Sequence, residues 1–119
     1  TKGEFIMRGL NKLFIFGRLG NQPEKQQTSN GHVFTTLSIA TTRNKRSGDE
    51  KERVTDWHRV TVWGKLANLC LEHLYVGCDI GVEGQLQVDN WVNKAGQKRS
   101  KIKIVAEHIH FGRKMKQAV

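Results

Sequence analysis

Residues 55–66, Thr-Asp-Trp-His-Arg-Val-Thr-Val-Trp-Gly-Lys-Leu, alternate with a period of two until the glycine. That period predicts a β-strand, whose side chains point by turns to its two faces, running into the start of a helix. Trp57, Arg59, Thr61 and Trp63 fall on one face, and His58, Val60 and Val62 on the other. The valine face suits a core. The opposite face carries two indoles, a guanidinium and a hydroxyl. At about 3.3 Å per residue the indoles stand roughly 20 Å apart, with the arginine between them. Such a face suits flat, negatively charged polymers better than a protein interior.

Upstream, Leu13-Phe14-Ile15-Phe16 reads as a first strand that breaks at Gly17. Leu13 and Ile15 share one face; Phe14 and Phe16 share the other with Lys12 and Arg18. Apolar residues on both faces predict cover on both, which oligomerisation would supply. Residues 20–24 form a turn around Pro23, and Asn30-Gly31 marks a hairpin turn. A second strand is expected over 32–42, where Val33, Leu37 and Ile39 alternate with Phe34, Thr36, Ser38 and Ala40. Residues 43–56 lack apolar periodicity, contain Ser47-Gly48, and mix five basic with four acidic residues. This predicts a mobile loop between two strands, either solvated without a role or folding over a bound strand.

Downstream, Leu66, Leu69, Cys70, His73 and Leu74 recur at helical spacing, with Ala67, Leu71 and Tyr75 as a second stripe. A short helix over 65–75 follows, ended by Gly77 as a left-handed cap. Its place is that of a plug at one end of a sheet. Residues 79–91 predict a long strand with Ile80, Val82, Leu86 and Val88 inward, and Gly81 and Gly84 permitting sharp coiling. Asp79, Glu83, Gln85, Gln87, Asp89 and Trp91 face outward, unless a bulge turns the tryptophan in. Residues 93–97 form a hairpin loop. A closing strand over 98–111 opens with Lys98, Arg99, Lys101 and Lys103.

Three strands, a short helix and two strands make an all-β chain. The order fits a five-stranded OB-fold barrel with one short helix between the third and fourth strands. A small sandwich is the rival, but it needs no helix at that point.

Composition adds a partner class. With 20 Lys and Arg against 11 Asp and Glu, the 119-residue chain carries a net charge of +9. A domain this basic attracts polyanions, unless the charge serves only solubility. No amphipathic basic helix points to a membrane surface. No apolar run approaches the roughly 20 residues of a membrane span, and no signal-peptide core precedes the pattern. Cys70 and Cys78 do not make a disulfide framework, and a cytoplasmic, nucleoid-associated location is expected. Cys70-x7-Cys78 with His73, and His108 with His110, lack the short spacing of zinc ligands, so neither metal nor cofactor is expected. One domain spans 8–112, with a leader over 1–7 and a short basic tail over 113–119.

Six blocks carry a family resemblance: Arg8-Gly9-Leu10-Asn11-Lys12, Gly17-Arg18-Leu19-Gly20, Leu37-Ser38-Ile39-Ala40-Thr41, Asp56-Trp57-His58-Arg59-Val60, Gly64-Lys65-Leu66-Ala67 and Val82-Glu83-Gly84-Gln85-Leu86. Their order resembles that of the bacterial single-stranded DNA-binding protein family, over nearly the whole chain. The resemblance implies base stacking by Trp57, Trp63 and Trp91. It implies phosphate contacts by Arg8, Lys12, Arg59 and Lys65, with Arg18 and the Lys98/Arg99 hairpin as further candidates. His58 matches a subunit-interface position in a family that is typically homotetrameric, although a dimer is also open. Single-stranded DNA is the implied partner, in replication, recombination or repair.

The chain departs from the family twice. Lys45 stands where members commonly carry another tryptophan, so phosphate attraction is expected to replace a stacking site there. The acidic, apolar tip through which members recruit replication and repair enzymes is absent from this sequence: either such a tail has been removed, or this is a short, specialised paralogue that does not recruit partners that way. A primosomal replication protein N-like or RNA-binding OB adaptor is the alternative within the binding class. An enzyme is not expected: no nucleophile with its base and no paired carboxylates stand out, and Asp49, Glu50 and Glu52 lie in a charge-mixed segment.

Overall fold

The computed structural model describes residues 9–112. Its elements are β1 (Leu13–Leu19), β2 (Gln26–Gln27), β3 (Val33–Ser47), β4 (Glu50–Trp63), α1 (Gly64–His73), β5 (Asp79–Val92) and β6 (Lys98–Phe111). The sheet runs β1-β5-β6-β4-β3, and a β1–β3 pairing closes it. The two-residue β2 only edges β3. The five long strands thus form the expected OB barrel, with α1 between the third and fourth of them. Arg8, the leader over 1–7 and the basic tail over 113–119 lie outside the described residues.

Closure depends on β1. It does not break at Gly17 but runs on to Leu19, pairing with β5 through Arg18↔Asp79. Near its end it pairs with β3 through Arg18↔Ala40 and Leu19↔Ile39. A Cβ on Gly17 would collide with the Ala40 carbonyl oxygen. The glycine therefore marks a close approach of two strands, not a strand end. Among the described residues only β4 and β6 run parallel, through Val60↔Ile104 and Thr61↔Val105.

Leu19, Leu37, Ile39, Val60, Val62, Ile80 and Val82 fill the barrel. The helix α1 packs on β3 and β4 and buries Ala67 and Cys70. Burial, with a smaller contribution from Cys78, pushes the Cys70 thiol up to about 12. The helix stops at His73, two residues short of the expected end, where Leu74 N–H bonds to the Cys70 carbonyl. Gly77, at φ +93°, turns the chain after the helix instead of capping it, and donates its N–H to the Leu19 carbonyl at 2.7 Å.

Two further expectations need correction. Residues 43–56 are not a loop. The β3–β4 ladder continues without a break from Phe34↔Trp63 to Ser47↔Glu50. Gly48, at φ +67°, supplies the left-handed residue a two-residue hairpin turn favours. Apolar periodicity is missing because this arm meets solvent on both faces. Leu86 and Val88, expected in the core, are exposed. They keep the inward parity of Ile80 and Val82, but past Gly84 the β5–β6 hairpin leaves the barrel. A bulge at Glu83/Gly84 marks the departure. Trp91 still faces outward.

The face of β1 that carries Phe14 and Phe16 is open, with the two rings 59% and 58% exposed. Around them His110 Nε2 lies 2.5 Å from Glu83 Oε2, and Lys12 Nζ 3.2 Å from Glu107 Oε1.

Candidate nucleic-acid interface

The β3–β4 ribbon places directly opposed residues on a common face. One face reads Phe34/Trp63, Thr36/Thr61, Ser38/Arg59 and Ala40/Trp57 across the barrel. It then continues along the projecting arm as Thr42/Thr55, Asn44/Arg53 and Arg46/Lys51. Trp57 is 62% exposed and Trp63 38%, as a binding surface requires and a core forbids. Val60 and Val62 beneath them are fully buried.

Each indole is held from the side. Phe34 lies against Trp63 with ring centroids 4.8 Å apart and planes tilted by 36°. Gly20 lies against Trp57, closely enough that a Cβ there would stand 2.7 Å from Cη2 and nearer still to Cζ3. Neither supporting residue is among those expected from the sequence. Phe34 shares the polar parity of β3, and that parity is the signal that finds it.

Charge on the arm is sorted by face. Arg46, Lys51 and Arg53 lie on the tryptophan face. Glu50, Glu52 and Asp56 lie on the other, with Lys45 opposite Glu52 and Arg43 bonded to Asp56 at 2.7 Å. That hydrogen bond and the carboxylate's charge raise the Arg43 pKa above its ordinary value. Lys45 therefore stands on the face turned away from Trp57. The cations that continue the tryptophan surface are Arg46, Lys51 and Arg53. Running the odd-numbered parity of Trp63, Thr61, Arg59 and Trp57 back through 55, 53 and 51 would have found two of them.

The β5–β6 hairpin adds a second wall. Arg59 and Thr61 share a hollow with Asp89, Lys101 and Lys103, so this hairpin abuts the tryptophan face of β4. Trp91, 47% exposed, is paired across the ladder with Arg99, and Asp89 with Lys101. Lys103 is bound to Asp89 at 3.2 Å. Arg99 and Lys101 thus join Trp91 on one face, whereas Lys98 pairs with Val92 and takes the opposite one.

The remaining candidates scatter. Lys65 is exposed in the first turn of α1, directly after Trp63 and Gly64. Arg18 lies one strand beyond Ala40 in the cross-strand row that contains Trp57, with Asp79 3.8 Å away. Lys12 lies with Glu107 on the outer face of β1 and β6, apart from the tryptophans. That lysine, followed by Gln85, holds the Glu107 carboxyl below the ordinary glutamate value. His58 is half-buried on the face opposite Trp57, its Nε2 2.8 Å from Thr41 Oγ1.

Among the described residues no three or more His, Cys, Asp or Glu converge on a common point, and no helix is long and apolar enough to cross a membrane.

A closed OB barrel with exposed indoles and cations along its outer strands is the architecture of a single-strand nucleic-acid binder. The chain belongs to the single-strand binding protein family, whose model matches residues 10–112. It is 42% identical over 109 residues to single-stranded DNA-binding protein 1 of Chlorobaculum tepidum, covering 89% of this chain and 67% of the relative. It is 39% identical over 108 residues to the single-stranded DNA-binding protein of Xylella fastidiosa, covering 89% and 65%. The chain therefore spans about two-thirds of the length of these relatives.

Among solved structures, the Plasmodium falciparum SSB complex with ssDNA superimposes with a TM-score of 0.75 at 26% identity, covering 92% of this chain and all of that one. A deletion mutant of the single-stranded DNA binding protein from Thermus aquaticus superimposes with a TM-score of 0.77 at 28% identity, covering 91% and 53%.

Proposed function

We propose that this domain binds single-stranded DNA without strong sequence preference, by stacking bases on Trp57, Trp63 and Trp91 while arginines and lysines beside them follow the phosphates. The observation that carries the reading is the sorting of side chains along β4. Aromatics and cations share one exposed face from Trp63 to Lys51, and the carboxylates of the arm occupy the other. Every base has a π-face, so stacking tolerates any sequence. Its value is about 1–3 kcal/mol per base, a range established by alanine substitution in OB-fold binders, this family among them. Duplex DNA already has its base faces stacked, so it competes poorly for the indoles.

Arg59 and Lys65 lie closest in sequence to the tryptophans and take the role of primary phosphate contacts. Arg99 and Lys101 serve the Trp91 end, and Arg46, Lys51 and Arg53 extend the track along the arm. The domain acts as a binder and not as an enzyme, and needs no cofactor. It covers single strands during replication, recombination or repair in the cytoplasm. The exposed Phe14/Phe16 face supports a homo-oligomer, a tetramer as is typical of the family, with His58 as a further subunit contact.

Titration of tryptophan fluorescence with poly-pyrimidine strands tests the reading. Quenching that weakens steeply with added salt is expected, because bound cations release condensed counterions. No quenching, or quenching indifferent to salt, overturns it.

A further inference from the structure

Asp89 stands in the path of the phosphate track. Past the bulge, β5 and β6 oppose each other as Gln87↔Lys103, Asp89↔Lys101 and Trp91↔Arg99, and all three pairs share the face of Trp91. Strand β6 also runs beside β4, through Val60↔Ile104 and Thr61↔Val105. These two pairings bring Arg59, Thr61, Lys101 and Lys103 around one hollow of about 120 Å³, wide enough for a phosphate group. Cations and a hydroxyl are the side chains that phosphate oxygens take as partners. The hollow lies between the indoles of β4 and the indole of β5, where a strand stacked on both must cross.

The same hollow contains a carboxylate. Asp89 Oδ2 lies 3.2 Å from Lys103 Nζ, and Lys101 stands directly across the ladder. On the β3–β4 arm acid is kept off this surface, because Glu50, Glu52 and Asp56 occupy the opposite face. Stability does not account for the exception. The Lys103 and Asp89 side chains are 32% and 51% exposed, and a surface pair of that kind contributes little to the fold. The charge has a larger effect on a ligand. A carboxylate beside the ammonium already neutralises it, and it repels a second anion that approaches the same lysine.

We propose that Asp89 is an internal stand-in for phosphate, which keeps Lys103 from the bound strand and weakens the track where it crosses from β4 to the hairpin. The proposal rests on the DNA-binding reading and adds a limit to it. Arg59 fastens the strand on one side of the crossing, and Arg99 and Lys101 fasten it on the other. Lys103 stays with Asp89. The strand is therefore held less firmly at the crossing than the cations around it would allow, and one side chain sets the difference.

Titration of the full chain with a poly-pyrimidine strand at several salt concentrations tests this. Asp89→Asn keeps the shape of the side chain and removes its charge. It should bind several-fold more tightly, with the plot of log affinity against log salt steeper by about 0.7, one added phosphate contact on a single strand. The double variant Asp89→Asn/Lys103→Met should return to the wild-type slope, because the added contact is that of Lys103. Glu50→Gln removes the same charge from the far face of the arm, and should raise affinity less, at the wild-type slope. Unchanged or weaker binding by Asp89→Asn overturns the proposal. So does a gain that Glu50→Gln matches, or one that survives the loss of Lys103. With wild-type protein that binds normally, those outcomes leave the DNA-binding reading standing. Wild-type protein that binds no single strand overturns both.

Discussion

Gly20 forms the seat of Trp57. The indole lies across the glycine with no room for a Cβ between them. Gly20 N–H is bonded to the Ser38 carbonyl at 2.8 Å, which fixes the seat to the strand beside the ring. Replacing Gly20 with valine should therefore push the indole out of its resting pose while leaving the buried residues beneath it in place. A loss of about 1 kcal/mol in oligonucleotide affinity is expected, the low end of one stacked base. Titration at fixed salt, beside a melting curve, checks it. Undiminished affinity with the same Trp57 emission would mean that the seat does not matter.

The sorting of charge on the β3–β4 arm makes a prediction about salt. Arg53→Ala and Lys51→Ala, on the tryptophan face, should each flatten the plot of log affinity against log salt by about 0.7, the contribution of one phosphate contact on a single strand. Lys45→Ala, across from Glu52 on the other face, should change the slope less than either. Equal slopes for all three would show that the arm's faces are not distinguished by the bound strand.

Acid stability follows from two carboxylates. The His110 hydrogen bond holds Glu83 below the ordinary glutamate value, and the Lys12 hydrogen bond does the same for Glu107. Folded-state values lower than unfolded ones give stability that is present above the unfolded value and is lost as pH falls through the folded one. The melting temperature should therefore drop on acidification below about pH 4, and less steeply for a Glu83→Gln/Glu107→Gln double variant. Parallel melting profiles for the two proteins would remove these glutamates from the explanation.

Thr35 is fully buried in β3, and its Oγ1 has no hydrogen-bond partner among the described residues. Thr35→Val keeps the shape and removes the unsatisfied hydroxyl, so it should stabilise the fold by about 1 kcal/mol. Thermal or denaturant unfolding measures the change. Destabilisation of similar size would place a partner, such as a bound water, beside the hydroxyl.

The barrel and the tryptophan strand are legible in the sequence because both are one-sided. Between Trp57 and Trp63 a buried face alternates with an open one, and alternation states that directly. The arm over 43–56 is unreadable by the same rule: with water on both sides, an extended hairpin has no apolar periodicity and resembles a loop. Its information lies instead in the parity of its charges, which becomes visible once the strand is continued past Thr55. Leu86 and Val88 mislead for the opposite reason. Their alternation is correct, but it cannot say whether anything covers the inward face, and past the bulge nothing in the barrel does. Lys45 is singled out by its position relative to the family pattern, and only the cross-strand register assigns its face. Gly17 and Gly20 look locally like a break and a turn. Their contacts are with Ala40 and Trp57, both distant in sequence, and no local pattern reports such approaches.

The central claim is that bases stack on the outward tryptophans, and its most direct test is fluorescence titration of Trp57→Ala and Trp91→Ala with a poly-pyrimidine strand at one fixed salt concentration. Each variant should melt like the wild type and bind more weakly by about 1–3 kcal/mol, the range already measured for such OB-fold binders. Wild-type affinity in both folded variants would contradict the account.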